Sequence, residues 1–156
     1  MIILALAMFG AGITIFTKVM GQGQDLHGSL TQSMTSNLNN MMDDGSPFVV
    51  LNNKETESRT KTVQFAIGFW NDLGETRDFR VEVTPQDILW QDYIQYFDEY
   101  DNVEPNEKKH VLLLIQVPKE ANKEQYHFDI SVEYKDDTGA WQVHTGKKKR
   151  IYVVVK

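Results

Sequence analysis

Residues 1–17, MIILALAMFGAGITIFT, contain no charged side chain, although 24% of this 156-residue chain is Asp, Glu, Lys or Arg and its formal net charge is −6. Apolar surface left in water costs about 25 cal/mol per Å². A segment that is apolar all round therefore has to be surrounded by lipid, by other protein or by copies of itself. Up to Asp44 the ionisable side chains are Lys18, Asp25, His27, Asp43 and Asp44, whereas the remainder is dense in charge. The division predicts two regions in different surroundings: residues 1–44 as a hydrophobic assembly or transmembrane helix, and residues 45–156 as a head domain.

Three readings compete for the opening residues. A cleavable secretory signal starts with Lys or Arg ahead of its apolar core, and here Met1 leads straight into IILALAM. A membrane span needs about 20 mostly apolar residues, or roughly 17 at the low end. Residues 1–20 just qualify, with Lys18 able to reach the headgroups. Orientation normally depends on a basic flank, which this start lacks.

The third reading rests on what comes next. After Met20 the apolar residues thin into a stripe of Leu26, Leu30, Met34, Leu38, Met41 and Met42, separated by Gln, Ser, Thr and Asn. Steps of four and three place them on one helix face. Gly45 and Pro47 then stop the pattern. One helix over 2–42 would be about 60 Å long at 1.5 Å per residue, twice what a bilayer core requires. Its expected assembly core is Ile2, Ile3, Leu4, Leu6, Met8, Phe9, Ile13, Ile15, Phe16, Val19, Met20, Leu26, Leu30, Met34 and Leu38. Gly10 and Gly12 let helices approach closely. Each helical glycine costs about 1 kcal/mol relative to alanine, so Gly21 and Gly23 mark a candidate kink.

From Phe48 the period changes to two. FVVL (48–51) is a short apolar strand, and in TVQFAIGFW the residues Val63, Phe65, Ile67 and Phe69 alternate with Gln64, Ala66, Gly68 and Trp70. DFRVEV, VLLLIQV, YHFDISVEY, AWQVH and RIYVVV read as further strands, divided by turn clusters such as NDLG and DDTG. About seven strands with regular turns predict a β-sandwich. DILWQDYIQYFDEY (87–100) is the exception, read as an irregular excursion over the sandwich surface. The expected fold class is thus α+β: a long N-terminal hydrophobic α-helix followed by an immunoglobulin-like antiparallel β-sandwich.

A charge-free MIILALAMFGAGITIF start joined to a sandwich resembles the archaeal type IV pilin-like proteins, a superfamily of adhesion pilins, archaellins and accessory archaellum proteins. The head, with VQFAIGFWNDLGETRDFRVEV and VPKEANKEQYHFDISVEY, is similar to immunoglobulin-like domains of archaeal surfaces. The resemblance implies a basic leader removed by a prepilin peptidase, Met1 as the mature N-terminus, a dedicated assembly machinery, and insertion in the membrane before assembly. Bacterial relatives usually carry a glutamate five residues into the mature chain. Ala5 stands there, which points to the archaeal branch. No Asn begins an N-x-Ser/Thr sequon, so no asparagine-linked glycan is expected.

Chemistry is sparse. The chain has no cysteine, which excludes disulfides and thiolate metal sites. His27, His110, His127 and His144 are scattered, without zinc-motif spacing, and polar-face surface positions are expected for His127 and His144. There is no phosphate loop and no nucleophile elbow. The acidic runs 98–107 and 136–137 match no EF-hand and read as solvated loop charge. Trp70, Trp90 and Trp141 are candidates for a contact surface, with at least one expected in the core. KKKR (147–150) is expected at a charged hairpin edge that discourages strand pairing. An acidic chain with one short basic run lacks the basic face that nucleic acid needs. No cofactor, metal or catalytic group is expected.

The functional expectation is a structural subunit of an extracellular helical filament, for adhesion or motility, with identical subunits as partners. Burial at about 1.5 to 3 kcal/mol per large apolar side chain would drive assembly. One heterologous contact, repeated, generates an open helix. The alternative is a bitopic membrane-anchored protein of the archaellum stator type whose sandwich binds a partner.

Overall fold

The computed structural model describes residues 30–144 and 148–156. The expected assembly positions from Ile2 to Leu26, the candidate kink at Gly21 and Gly23, His27 and Lys147 lie outside the described residues. The chain divides into two compact units, Met1–Thr31 and Gln32–Lys156. Of the first, only Leu30 and Thr31 are described. Leu30 is buried, and neither residue is helical.

The described chain is mostly β, and this corrects the α+β class with its long apolar N-terminal helix. Its α-helix is α1, Gln32–Asp43, 12 residues long. Thr31 stands immediately before it, a residue type that favours the cap over the helix interior. The helix stops where Gly45 takes a φ of 98°, a left-handed conformation that glycine adopts without steric penalty. The compact second unit includes this helix, so its boundary lies upstream of residue 45.

Ten strands follow: β1 Phe48–Val50, β2 Lys54–Glu57, β3 Thr62–Trp70, β4 Arg77–Pro85, β5 Ile94–Gln95, β6 Glu99–Val103, β7 Lys108–Gln116, β8 Gln125–Lys135, β9 Trp141–Val143 and β10 Lys149–Val155. A 3-10 helix, Ile88–Tyr93, precedes β5. One sheet has the order β1-β3-β7-β5 and the other β2-β10-β8-β4-β6, with β9 pairing β8. All ladders are antiparallel except that β2 lies parallel to β10. The excursion read over 87–100 resolves into the 3-10 helix, β5 and the start of β6.

The core sits between the sheets. Phe65, Ile67, Phe69, Val111, Leu113 and Ile115 come from one, and Phe79, Val81, Phe128, Ile130, Val132, Ile151 and Val153 from the other, each at most 1% exposed. These are the alternating positions that period two assigns to one face. On the opposite face of β3, Ala66 and Gly68 are also buried. Helix α1 packs there, against β3, β1 and β7. A Cβ on Gly68 would lie 3.0 Å from Met42 Cε and 3.2 Å from Val49 Cγ2. The missing side chain lets the helix sit close to the sheet.

Candidate functional site

The striped helix was expected to supply the assembly core at Leu30, Met34 and Leu38. Leu38 is fully buried and Met42 is 2% exposed, on a helix whose packing partners are the sheet's own strands. Asn39 Oδ1 lies 2.8 Å from His110 Nε2 on β7, and Asp43 forms an ion pair with Lys108. Leu38 is therefore covered within a single chain and needs no second copy to bury it. Met34 is half-buried.

The histidines do not converge. His127 lies opposite Tyr152 near one end of β8, whereas His144 packs on Tyr134 near the other. Seven residues of strand separate these positions, about 23 Å at 3.3 Å per residue. His144 is 1% exposed and not on a polar surface, which corrects the sequence expectation. Its Nε2 lies 3.2 Å from the Trp70 carbonyl oxygen and 3.3 Å from Asp72 Oδ1. Burial pushes its pKa down, against the opposing pull of Asp72 and the Trp70 carbonyl.

In the acidic runs Asp98, Glu99, Asp101 and Glu104 are exposed, while Glu107 and Asp136 bond within their own turns. Asp78 Oδ1 accepts from Asn102 N–H at 2.9 Å, and Glu107 Oε2 accepts from Glu104 N–H at 2.8 Å. Asp136 accepts from the Thr138 hydroxyl at 2.6 Å, from Gln142 Nε2 at 2.9 Å and from the Ala140 N–H at 3.0 Å. Led by the Thr138 and Gln142 bonds, these hold its carboxyl at about 2. This is a turn whose aspartate replaces backbone partners. Among the described residues no group of three or more His, Cys, Asp or Glu is arranged to hold a metal ion.

The tryptophans part company. Trp90 is fully buried against Tyr126 and Phe128, at ring separations of 4.7 and 5.3 Å. Trp70 Nε1 donates to the Ser46 carbonyl at 3.1 Å. Trp141 lies under the Arg80 guanidinium, 4.5 Å from the ring centre. Of the basic run, Lys149 and Arg150 fall on β10, which pairs β8 on one side and β2 on the other. The β2 pairing covers Tyr152–Val155, beyond Lys149 and Arg150, which pair β8. Arg150 meets Asp129 through two bonds of 2.7 and 3.1 Å. Exposed large apolar side chains are Ile88, Leu89, Phe97 and Val143. No sequence pattern marks these, since they interrupt no period.

No family model matches the sequence and no curated protein matches it. Among solved structures, a family 123 glycoside hydrolase from Clostridium perfringens aligns at 12% identity and TM-score 0.48, over 65% of this chain and 22% of that one. These likenesses carry no functional argument. The periplasmic chaperone SfaE aligns at 9% identity and TM-score 0.43, over 70% of this chain and 57% of the chaperone. AggA, the major subunit of aggregative adherence fimbriae type I from Escherichia coli, aligns at 10% identity and TM-score 0.42, over 70% of this chain and 93% of that one. The chain spans less than two thirds of the hydrolase and of the chaperone.

Proposed function

We propose that the chain is a structural subunit of an extracellular surface filament, joined to identical copies through its apolar N-terminal segment, with the sandwich as a solvent-facing head. One observation carries this reading. Residues 1–17 hold no charge, while the unit Gln32–Lys156 fills both its inter-sheet core and the groove under its helix with its own side chains. The charge-free residues fall in the other unit, Met1–Thr31. Apolar surface of that extent supplies tens of kcal/mol of gross driving force for association, of which ordering consumes a part. A prepilin-type peptidase, an assembly machinery and a membrane stage before assembly are the partners that the pilin resemblance supplies to this proposal.

A membrane-anchored surface protein is the second reading, favoured by the length of the apolar stretch, which just reaches the roughly 17 residues a span requires. Among the described residues no helix is long and apolar enough to cross a membrane. Negative-stain microscopy of the purified full chain separates the two. Uniform filaments are the expected outcome; detergent-bound monomers or small oligomers that never polymerise on detergent removal would reject the filament.

A further inference from the structure

Between β9 and β10 the strand is interrupted. Val143 pairs with Glu133 and Lys149 with Ile130 on the same strand β8. His144, the residue after β9, is buried at 1% exposure. Its ring stands at 87° to Phe79 of β4 and Tyr134 of β8, with centroids 5.3 and 6.3 Å away. One nitrogen, Nε2, reaches both the carbonyl oxygen of Trp70 at the end of β3 and the Asp72 carboxylate in the β3–β4 turn. Both neighbours are acceptors, so Nε2 carries the hydrogen and the neutral ring keeps its lone pair on Nδ1.

The turn that receives this bond is itself tied down. Asn71 is fully buried, its Nδ2 donating to the Glu75 and Val103 carbonyls at 2.7 and 2.9 Å, its Oδ1 accepting from Leu73 N–H at 2.9 Å. β9, by contrast, is three residues long and pairs with β8 alone. β9 is also held by Gln142 on Asp136 and by Trp141 under Arg80, and His144 adds a tie to the firm β3–β4 turn.

We propose that His144 is an acid-sensitive latch: neutral, it holds β9 against the β3–β4 turn; protonated, it releases β9 from β8 and uncovers Phe79 and Tyr134. A second proton would place a cation at the apolar end of the sandwich. β4 offers that cation Phe79, β8 offers Tyr134, β3 offers the Trp70 carbonyl, and the turn offers Asp72, the charged group that acts on it among the described residues. Burial outweighs Asp72, so the folded pKa lies below the unfolded value of about 6.5. The sign follows: the latch is fully closed above about 6.5 and is lost as pH falls from there through the lower folded value.

Ring titration of His144 by NMR in the full chain in detergent, with amide hydrogen exchange of residues 141–143, tests the latch. The expected ring midpoint is below that of an unfolded histidine. Exchange of 141–143, corrected for intrinsic rates and taken relative to the β3–β7 ladder, is expected to rise about tenfold as pH falls through that midpoint, and to stay flat in His144→Phe. If the phenylalanine variant does not fold, His144→Gln serves the same comparison. A midpoint at or above that of an unfolded histidine would mean that Asp72 outweighs burial and the sign is reversed. That outcome, or equal pH response in wild type and variant, overturns the latch.

Discussion

Leu38 decides how the striped helix is understood. It has no solvent exposure within a single chain, so its truncation should act on folding. Leu38→Ala is expected to lower unfolding stability by about 2–5 kcal/mol, the range for emptying a buried leucine site, as read by urea denaturation, while leaving self-association of the full chain unchanged. A variant that folds normally but assembles poorly would show that the residue serves a seam between copies. Asp136 makes a second residue-scale prediction. Its carboxyl titrates at about 2 when folded, below the roughly 3.9 of an unfolded aspartate. Its contribution is therefore present above about 3.9 and lost as pH falls through 2. Replacement by Asn should flatten the fall in stability between pH 4 and pH 2 relative to wild type; parallel profiles in urea titrations at those pH values would contradict the assignment.

At the scale of elements, the helix-on-sheet contact depends on Gly68 having no side chain. A valine there would meet Met42 and Val49 at or inside 3.2 Å, and the helix would have to lift. Gly68→Val is expected to cost about 1–3 kcal/mol, as overpacked sites do. Shortening Met42 to Ala in the same chain should recover part of that loss, a coupling that a double-mutant cycle measures. No recovery would place the strain elsewhere. Much of this layer was legible in the sequence: period two marked β3, β4 and β8, and the four-and-three stripe marked α1. What covers the stripe was not legible, because the same spacing suits a bundle of copies or a sheet. The signal was in β3, where the small residues Ala66 and Gly68 of its outer face are both buried and Gly68 lies against Met42 of the helix. β2 was missed because KETE carries no apolar residue, and β5 and β6 because they are short and irregular. His144 was misplaced because an interruption between strands leaves no periodic trace.

On the scale of the whole molecule, the chain joins an apolar segment to a unit that fills its own core. The unit Gln32–Lys156 alone should unfold in one cooperative transition, with coincident fluorescence and circular dichroism curves, as a single core of this size does. The most direct measurement of the central claim compares sedimentation and negative-stain images of that unit with those of the full chain, both free of detergent. The account predicts pelletable, uniform filaments from the full chain and monomers from the unit. Filaments formed by the unit alone, or a full chain that stays dispersed as single particles in lipid, would contradict it.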